Sequence, residues 1–214
     1  GNALITSGAN FGGTGNAGNP STTTFDLFSS DSANRSYTFV KGAETLGATS
    51  GEIMTGLTEF ADVETLDVDY ILMGPGDIGS KSNTQSIAAK VLSIASGRKD
   101  AVGFISPFYG DVVGVTSSAT QTQNVVDFYN NMQATSFGVF DNGWKYIYDR
   151  FADKYRYIPG NGDVAGLCAA TTANGLPWFS PAGLNRGAIK NAVKLAFSPT
   201  RTERDLLYQN RINP

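Results

Sequence analysis

The residues with the clearest capacity for chemistry lie in a glycine-rich loop after a short apolar stretch. Residues 70–92 read YILMGPGDIGSKSNTQSIAAKVL, and Gly74, Gly76 and Gly79 match the G-x-G-x-x-G spacing. In dinucleotide-binding proteins this spacing brings a pyrophosphate to the N–H groups at a helix N-terminus. Here Pro75 lacks an N–H, and six polar residues separate the last glycine from the first helical periodicity. We therefore favour an ordinary strand-to-helix turn over a nucleotide site.

Other candidate groups have simpler structural interpretations. A Ser-Lys nucleophile pair would need Lys81 beside Ser80 or Ser82, but these residues suit an exposed loop. Cys168 lies among small residues and is expected to be a packing thiol. The carboxylates that precede the strand are expected to be solvated. Four tyrosines could form a sugar or peptide platform, but we favour amphipathic strand faces as their explanation. These two sets are Asp62, Glu64, Asp67 and Asp69, and Tyr146, Tyr148, Tyr155 and Tyr157.

Composition excludes several classes of function. The chain has 214 residues, no histidine and one cysteine, so a Ser-His-Asp triad, a histidine-rich metal cluster and a multi-cysteine zinc site are ruled out. A net charge of -3 without a Lys/Arg cluster argues against nucleic-acid binding. The apolar runs are far shorter than the roughly 18 residues of a membrane span. We expect no cofactor, no metal, no membrane insertion and no enzymatic activity.

The elements that would position these residues form an α/β pattern. Residues 1–50 are rich in Gly, Asn, Ser and Thr and predict an irregular or β-rich segment with a strand at 36–40, whereas 51–214 alternate between strands and helices. The alternation predicts a wound, mostly parallel sheet with helices on both faces. Expected strands are 70–73 and 100–107, with a hairpin over 136–149 that turns at Asp141-Asn142-Gly143. Expected helices are 52–60, 83–96 ending at Gly97, 120–132, 162–173, 186–196, and 202–210 with Thr202 and Asp205 as a capping box.

The C-terminal third contains two distinctive segments, PWFSPAGLNRG at 177–187 and ERDLLYQNRINP at 203–214. They are the most specific part of a resemblance to the contractile tail sheath proteins of bacteriophages. Upstream, LDVDYILMGP, GRKDAVGFISP and FGVFDNGWKYIYD follow in the order and spacing of that family. The resemblance covers residues 57–214, and residues 1–50 match nothing in it.

The resemblance implies a subtilisin-like α/β core without protease activity. It implies a structural subunit that forms stacked hexameric rings around the tail tube and contracts to drive the tube through the host envelope. Implied partners are further copies of the chain, the tail tube protein, and the baseplate and tail terminator proteins, in a virion tail assembled in the bacterial cytoplasm. Sheath proteins continue past the INP motif into arms that link neighbouring subunits, so this chain is expected to be a core fragment, with 1–50 belonging to a peripheral insertion domain.

Subunit-interface residues are expected in the most recognisable loop. Trp178, Phe179, Asn185 and Arg186 include residue types enriched at interfaces. The alternative is internal packing, in which Trp178 fills the core and Arg186 bonds helix-end carbonyls. Rival functions are the sheath of a phage-derived contractile injection particle, a nucleotide-binding α/β enzyme and a glycan-binding module.

Overall fold

The computed structural model describes residues 47–184 and 186–214, together with two short strands near the amino terminus. The chain divides into two compact units, Gly1–Gly47 and Ala48–Pro214. In the first unit, β1 (Leu4–Ile5) pairs antiparallel with β2 (Phe25–Asp26). The strand predicted at 36–40 lies outside the described residues.

The second unit is built around a three-stranded parallel sheet. Its strands are β3 (Tyr70–Leu72), β4 (Val102–Ile105) and β5 (Gly138–Phe140), in the order β3-β4-β5. Leu72 pairs with Phe104, and Phe104 pairs with Val139. Consecutive parallel strands require crossover connections, which explains the helical segments between them. The predicted strand at 70–73 and the predicted parallel strand within 100–107 are confirmed.

Helices surround this sheet. They are α1 (Ser50–Thr58), which continues into a 3-10 turn (Glu59–Ala61), then α2 (Lys81–Arg98), α3 (Tyr109–Val112), α4 (Ser118–Tyr129), α5 (Asn161–Asn174) and α6 (Arg201–Gln209). No helix in the described part of the chain is long and apolar enough to cross a membrane.

Two helices are capped by residues other than those predicted. Helix α2 passes Gly97 and ends at Arg98, and its C-cap Lys99 adopts the left-handed conformation with φ 66°. The capping box of α6 uses Thr200 and Glu203 instead of Thr202 and Asp205, because the Thr200 hydroxyl accepts from the Glu203 N–H and the Glu203 carboxylate accepts from the Thr200 N–H.

Helices α2 and α5 both pack against the parallel sheet. Gly103 faces α2 so closely that a Cβ there would lie 2.8 Å from Val91 Cγ1. Side chains alternate along a strand, so Phe104 points away from α2, and it is 2% exposed. Helix α5 packs against β3 and β4, with Ala165 buried. We assign α5 to the face that carries Phe104.

The predicted wound sheet covers only part of the second unit. After β5 the chain forms a separate antiparallel sheet of β6 (Trp144–Asp149), β7 (Lys154–Pro159) and β8 (Lys194–Leu195), in the order β7-β6-β8. The hairpin predicted at Asp141-Asn142-Gly143 is therefore wrong, since β5 joins the parallel sheet and β6 turns back at 150–153 to pair with β7. The helix predicted at 186–196 is absent, and β8 forms within that range.

Three buried polar side chains and two main-chain groups join the two sheets at the carboxyl ends of the parallel strands. We call Gly74, Ser106, Asp141, Gly143 and Asn161 the sheet-end junction. The Ser106 hydroxyl donates to Asp141 Oδ2 at 2.7 Å, and the Gly143 N–H donates to Asp141 Oδ1 at 2.9 Å. Asn161, the first residue of α5, donates its N–H to Ser106 Oγ at 2.9 Å and its side-chain amide to the Gly74 carbonyl at 2.8 Å. The junction therefore links all three parallel strands to the start of β6 and of α5.

The opposite end of the parallel sheet is fixed by Arg98. Its side chain is 1% exposed and forms a fork on Asp100, with Nε and Nη2 each 2.9 Å from a carboxylate oxygen. The same guanidinium donates to the carbonyls of Phe60, Asp62 and Leu66 at 2.7 to 2.9 Å. Arg98 thus anchors the irregular segment between α1 and β3 to the end of α2.

Replacing Arg98 with Met should lower the free energy of unfolding by about 3 kcal/mol, because three main-chain carbonyls would lose their donor in a buried site. Chemical denaturation of the chain measures this. Ser93→Ala, an exposed substitution on the same helix, is the control and should stay within about 0.5 kcal/mol of the parent chain. Equal effects of the two substitutions would show that Arg98 does not anchor the segment.

Asp141→Asn should change the pH dependence of stability. Burial raises the pKa of Asp141 to about 7, against the hydrogen bonds from Gly143 and Ser106 that lower it. Between the usual aspartate pKa near 4 and pH 7, the folded chain holds a proton that the unfolded chain releases, so stability falls as pH rises. Relative to the Asn variant, the parent chain should lose up to about 1.4 kcal/mol per pH unit in this window and no more above it.

Urea denaturation at several pH values between 5 and 8 measures that difference. Asp77→Asn is the control, because hydrogen bonds from Asn83 and Gly79 lower the pKa of Asp77, so its effect should be constant over the same range. A difference between the Asp141→Asn variant and the parent chain that does not vary with pH would contradict the proton-linked role of Asp141.

Candidate functional site

The glycine-rich loop uses its own main-chain donors internally. The Gly79 N–H donates to Asp77 Oδ1 at 2.9 Å, and the Asp77 N–H donates to the Thr84 hydroxyl at 3.1 Å. Asn83 Nδ2 donates to Asp77 Oδ2 at 2.7 Å, and hydrogen bonds led by this one hold the pKa of Asp77 below its usual value. A carboxylate therefore occupies the start of α2, where a nucleotide phosphate would bind.

Backbone geometry explains the glycines of this loop. Gly74 and Gly76 adopt φ of 68° and 64°, and a Cβ at Gly76 would lie 2.7 Å from Thr84 Cγ2. Helix α2 begins at Lys81, two residues after Gly79, so the loop is shorter than the sequence predicted. In open α/β sheets, ligands bind beyond the carboxyl ends of the strands, but here Asn161 and the rest of the sheet-end junction fill that edge. These contacts support the interpretation of the loop as a structural turn.

The residues of the hypothetical Ser-Lys pair have structural partners. Lys81 Nζ lies 2.8 Å from Asp111 Oδ2, and Ser80 caps α2 by accepting from the Asn83 N–H. Burial raises the pKa of Asp111, and the Lys81 ammonium opposes that shift. Cys168 is partly buried, and burial raises the pKa of its thiol. A raised thiol pKa disfavours the thiolate that a nucleophile requires.

The acidic residues before β3 do not converge on one point. Asp62 accepts from the Glu64 N–H at 3.0 Å and from the Thr65 hydroxyl, and these hydrogen bonds lower its pKa. In the ranges that the structure describes, no three Asp, Glu or Cys side chains are placed to hold a metal ion. Every carboxylate of this group is exposed, as the sequence predicted.

The four tyrosines share one face of the β6–β7 hairpin. Tyr146 pairs with Tyr157, and Tyr148 pairs with Tyr155. Because side chains alternate between the two faces along a strand, all four tyrosines point to the same side. The rings of Tyr146 and Tyr155 stack at 5.3 Å. Near the junction Tyr157 packs edge-on against Tyr109, whereas Tyr148 and Tyr155 are exposed. The inner pair is thus packing, and the outer pair is free surface within the described chain.

A run of exposed apolar side chains extends from the end of α5 through β8. Residues 176–195, which we call the exposed segment, leave large side chains in solvent. Trp178 is 74% exposed and Leu184 is fully exposed. The other exposed apolar side chains of the segment are Leu176, Phe179, Ile189, Val193 and Leu195. Isolated exposed apolar residues are common, but a run of seven in twenty residues is typical of a surface that another molecule covers.

The residues predicted at the interface have different environments. The alternative in which Trp178 fills the core is wrong, because its side chain is exposed. The Arg186 guanidinium lies over the Phe179 ring at 5.7 Å, and both line a groove against α5 with Ala170 and Asn174. This stacking replaces the predicted bond from Arg186 to helix-end carbonyls. Asn185 lies outside the described residues.

The exposed segment is anchored to the rest of the second unit near its carboxyl end. Lys145 Nζ lies 2.7 Å from Asp163 Oδ1 and donates to the Lys190 carbonyl at 3.1 Å. The Val193 N–H then donates to the Tyr146 carbonyl at 2.8 Å, which aligns β8 with β6. The segment is therefore held in place by main-chain contacts while its apolar side chains remain outside.

Sequence reasoning missed several residues that define this site. Leu184 gave no pattern signal, because an isolated leucine between turn residues suits packing equally well. Phe151, 89% exposed, was overlooked although an aromatic residue in a charged turn is uncommon. Asp141 was read as part of a turn, and Asn161 lay just before the predicted helix at 162–173. Only their tertiary contacts reveal the junction.

Comparison with known proteins matches this chain to one family. The family model described as the phage tail sheath protein central domain matches residues 47–214. The tail sheath protein of Enterobacteria phage T4 is 35% identical over 175 residues, which is 78% of this chain and 26% of that protein. The tail sheath protein of Vibrio phage KVP40 is 35% identical over 195 residues, 83% of this chain and 28% of the relative.

A third relative covers less of the chain. The tail sheath protein of Salmonella phage ViI is 35% identical over 124 residues, 58% of this chain and 19% of that protein. The chain spans about a quarter of the length of the first two relatives. The match to the family model covers the whole of the α/β unit and the exposed segment. The chain therefore belongs to the phage tail sheath protein family.

Proposed function

We propose that this chain is the core of a structural subunit of a contractile phage tail sheath. In this proposal subunits stack as hexameric rings around the tail tube, contact the baseplate and tail terminator proteins, and contract to drive the tube through the host envelope. The site of action is the virion tail, assembled in the bacterial cytoplasm. Residues 1–50 would belong to a peripheral insertion domain, and the core from residue 51 would share the subtilisin-like arrangement without catalysing a reaction.

The exposed segment is the observation that carries this proposal. A subunit of a polymer must present apolar surface that neighbouring copies bury, and residues 176–195 present such a surface on a firmly anchored loop. The same residues include PWFSPAGLNRG, the segment most specific to the family. Trp178, Phe179, Asn185 and Arg186 are proposed to contact a neighbouring subunit, with the exposed Trp178 ring as the anchor.

A rigid core suits the proposed mechanism. Contraction without a nucleotide requires two sets of subunit contacts that differ in free energy, while each subunit moves as a body. The sheet-end junction and Arg98 tie the two ends of the parallel sheet to their flanking segments. A few kcal/mol per subunit, summed over many identical contacts, would then provide the driving force.

The sheath of a phage-derived contractile injection particle is the second candidate, and gene neighbours separate it from a phage tail. A nucleotide-binding enzyme is disfavoured by the carboxylate of Asp77 at the start of α2. Thermal shifts with a panel of nucleotides test that alternative directly, since a ligand that binds the native state must raise the melting temperature.

Trp178→Ala should impair assembly without affecting folding. Because Trp178 is exposed, its removal should change the free energy of unfolding of the chain by no more than about 0.5 kcal/mol. In the sheath protein that carries this chain, the same substitution should reduce the yield of tubes or rings seen by electron microscopy. Tyr208→Ala, an equally exposed aromatic residue on α6, is the matched control and should assemble normally.

Electron microscopy of the unsubstituted sheath protein tests the function itself. Long striated tubes or stacked rings are expected, whereas light scattering of the 214-residue chain should show a monomer at micromolar concentration. A discrete monomer in both preparations would contradict the sheath function. Normal tubes from the Trp178→Ala protein would instead contradict only the assigned interface.

A further inference from the structure

The outer end of the β6–β7 hairpin combines exposed aromatic rings with cations. We call residues 148–155 the hairpin tip. Phe151 is 89% exposed, and Tyr148 and Tyr155 beside it are also exposed. The Arg150 guanidinium lies over the Phe151 ring at 5.0 Å. An exposed aromatic cluster with arginine has the composition of an interface core.

The acids of the hairpin tip are already engaged. Asp149 Oδ2 lies 2.9 Å from Arg156 Nη2, while Asp149 Oδ1 accepts from the Phe151 N–H at 3.0 Å. Asp153 accepts from the Tyr148 hydroxyl. Arg150 and Lys154 make no ion pair with any described residue. Together with the adjacent Arg156, the end of the hairpin carries three cations against two carboxylates, so it has a net charge of +1 around an apolar centre.

A surface of opposite charge lies elsewhere in the same unit. Residues 59–69, which we call the acidic segment, contain no Lys or Arg. Their exposed acids are Glu59, Asp62, Glu64, Asp67 and Asp69, and their exposed apolar side chains are Phe60, Val63 and Leu66. Arg98 holds this backbone in place through three carbonyls, so the side chains point from a fixed loop.

The two surfaces are attached to opposite ends of the parallel sheet. The acidic segment leads into β3, where the Asp69 carbonyl accepts from the Val102 N–H at the amino ends of the strands. The hairpin is rooted at the sheet-end junction, at the carboxyl ends, and its turn is six residues further along β6, or about 20 Å of strand. Both surfaces are exposed, so neither covers the other within one chain.

We propose that the hairpin tip of one copy of this chain docks on the acidic segment of a second copy. Opposite charge surrounds apolar side chains on both surfaces, which fits a contact with an apolar centre and a charged rim. Because the two surfaces are different, the contact is head-to-tail. In a linear row of copies, the first copy keeps one kind of surface free and the last copy keeps the other. Repetition of this contact generates rings or helical filaments. The inference rests on the proposed sheath function and names the surfaces that would mediate it.

Charge reversal tests the contact with the 214-residue chain. The hairpin variant combines Arg150→Glu with Lys154→Glu, and the acidic variant combines Glu64→Lys with Asp67→Lys. Sedimentation equilibrium up to about 1 mM, the range of a weak contact, should show association of the parent chain that decreases with added salt. Each variant alone should associate about tenfold more weakly, because like charges then face each other.

An equimolar mixture of the two variants should recover parental association. The unaltered hairpin of the acidic variant meets the unaltered acidic segment of the hairpin variant, and the two reversed surfaces also attract each other. This recovery shows in addition that both variants are folded. Arg201→Glu with Arg204→Glu, which changes the net charge equally at exposed positions of α6, is the control and should associate like the parent.

Three outcomes would overturn the inference: a parent chain that stays monomeric at every concentration, variants that associate like the parent, or a mixture that associates no better than its components. None of them bears on whether the sheath protein forms tubes, which electron microscopy decides separately. Tubes that form normally from sheath protein carrying the hairpin variant would also overturn the inference while leaving the sheath function intact.

Discussion

The arrangement of this core depends on a buried carboxyl group. Asp141 ends the last parallel strand, and its two oxygens hold Ser106 from the neighbouring strand and the main chain of Gly143. Asn161 completes the group by bonding both Ser106 and the Gly74 carbonyl. Because burying an ionised carboxylate is costly, the site favours the protonated form, and the pKa of Asp141 rises to about 7. An enzyme of this architecture would direct polar groups at a ligand at this edge of the sheet. In this chain those groups form hydrogen bonds with one another.

The sheet-end junction lies between the buried and the exposed parts of the second unit. Below the junction are the parallel sheet and its helices, with the buried side chains of α2 and α4 in one apolar cluster. Beyond it the hairpin and the exposed segment carry apolar side chains in solvent, held mainly through main-chain bonds and the Lys145–Asp163 ion pair. Buried apolar side chains are therefore concentrated in one part of the unit, and exposed apolar side chains in another.

The sequence predicted the elements whose periodicity reflects burial. Helices α2 and α4 were recognised because their apolar residues recur at helical spacing and face a core, whereas α5 was recognised from its run of small residues. The helix expected at 186–196 failed for the opposite reason, since Ile189 and Val193 recur at helical spacing but are exposed. Asp141-Asn142-Gly143 has the composition of a hairpin turn, yet tertiary contacts bury Asp141. The sheet-end junction arises from residues far apart in sequence, so no local pattern could predict it.

Cryo-electron microscopy of the sheath before and after contraction tests the central claim, that the core is a rigid body whose surfaces exchange partners. We expect residues 48–214 to fit both states with the Ser106–Asp141–Asn161 contacts intact and with Trp178 covered by a neighbouring subunit in at least one state. A core that rearranges at the junction between the states, or a Trp178 side chain that stays in solvent in both, would contradict it.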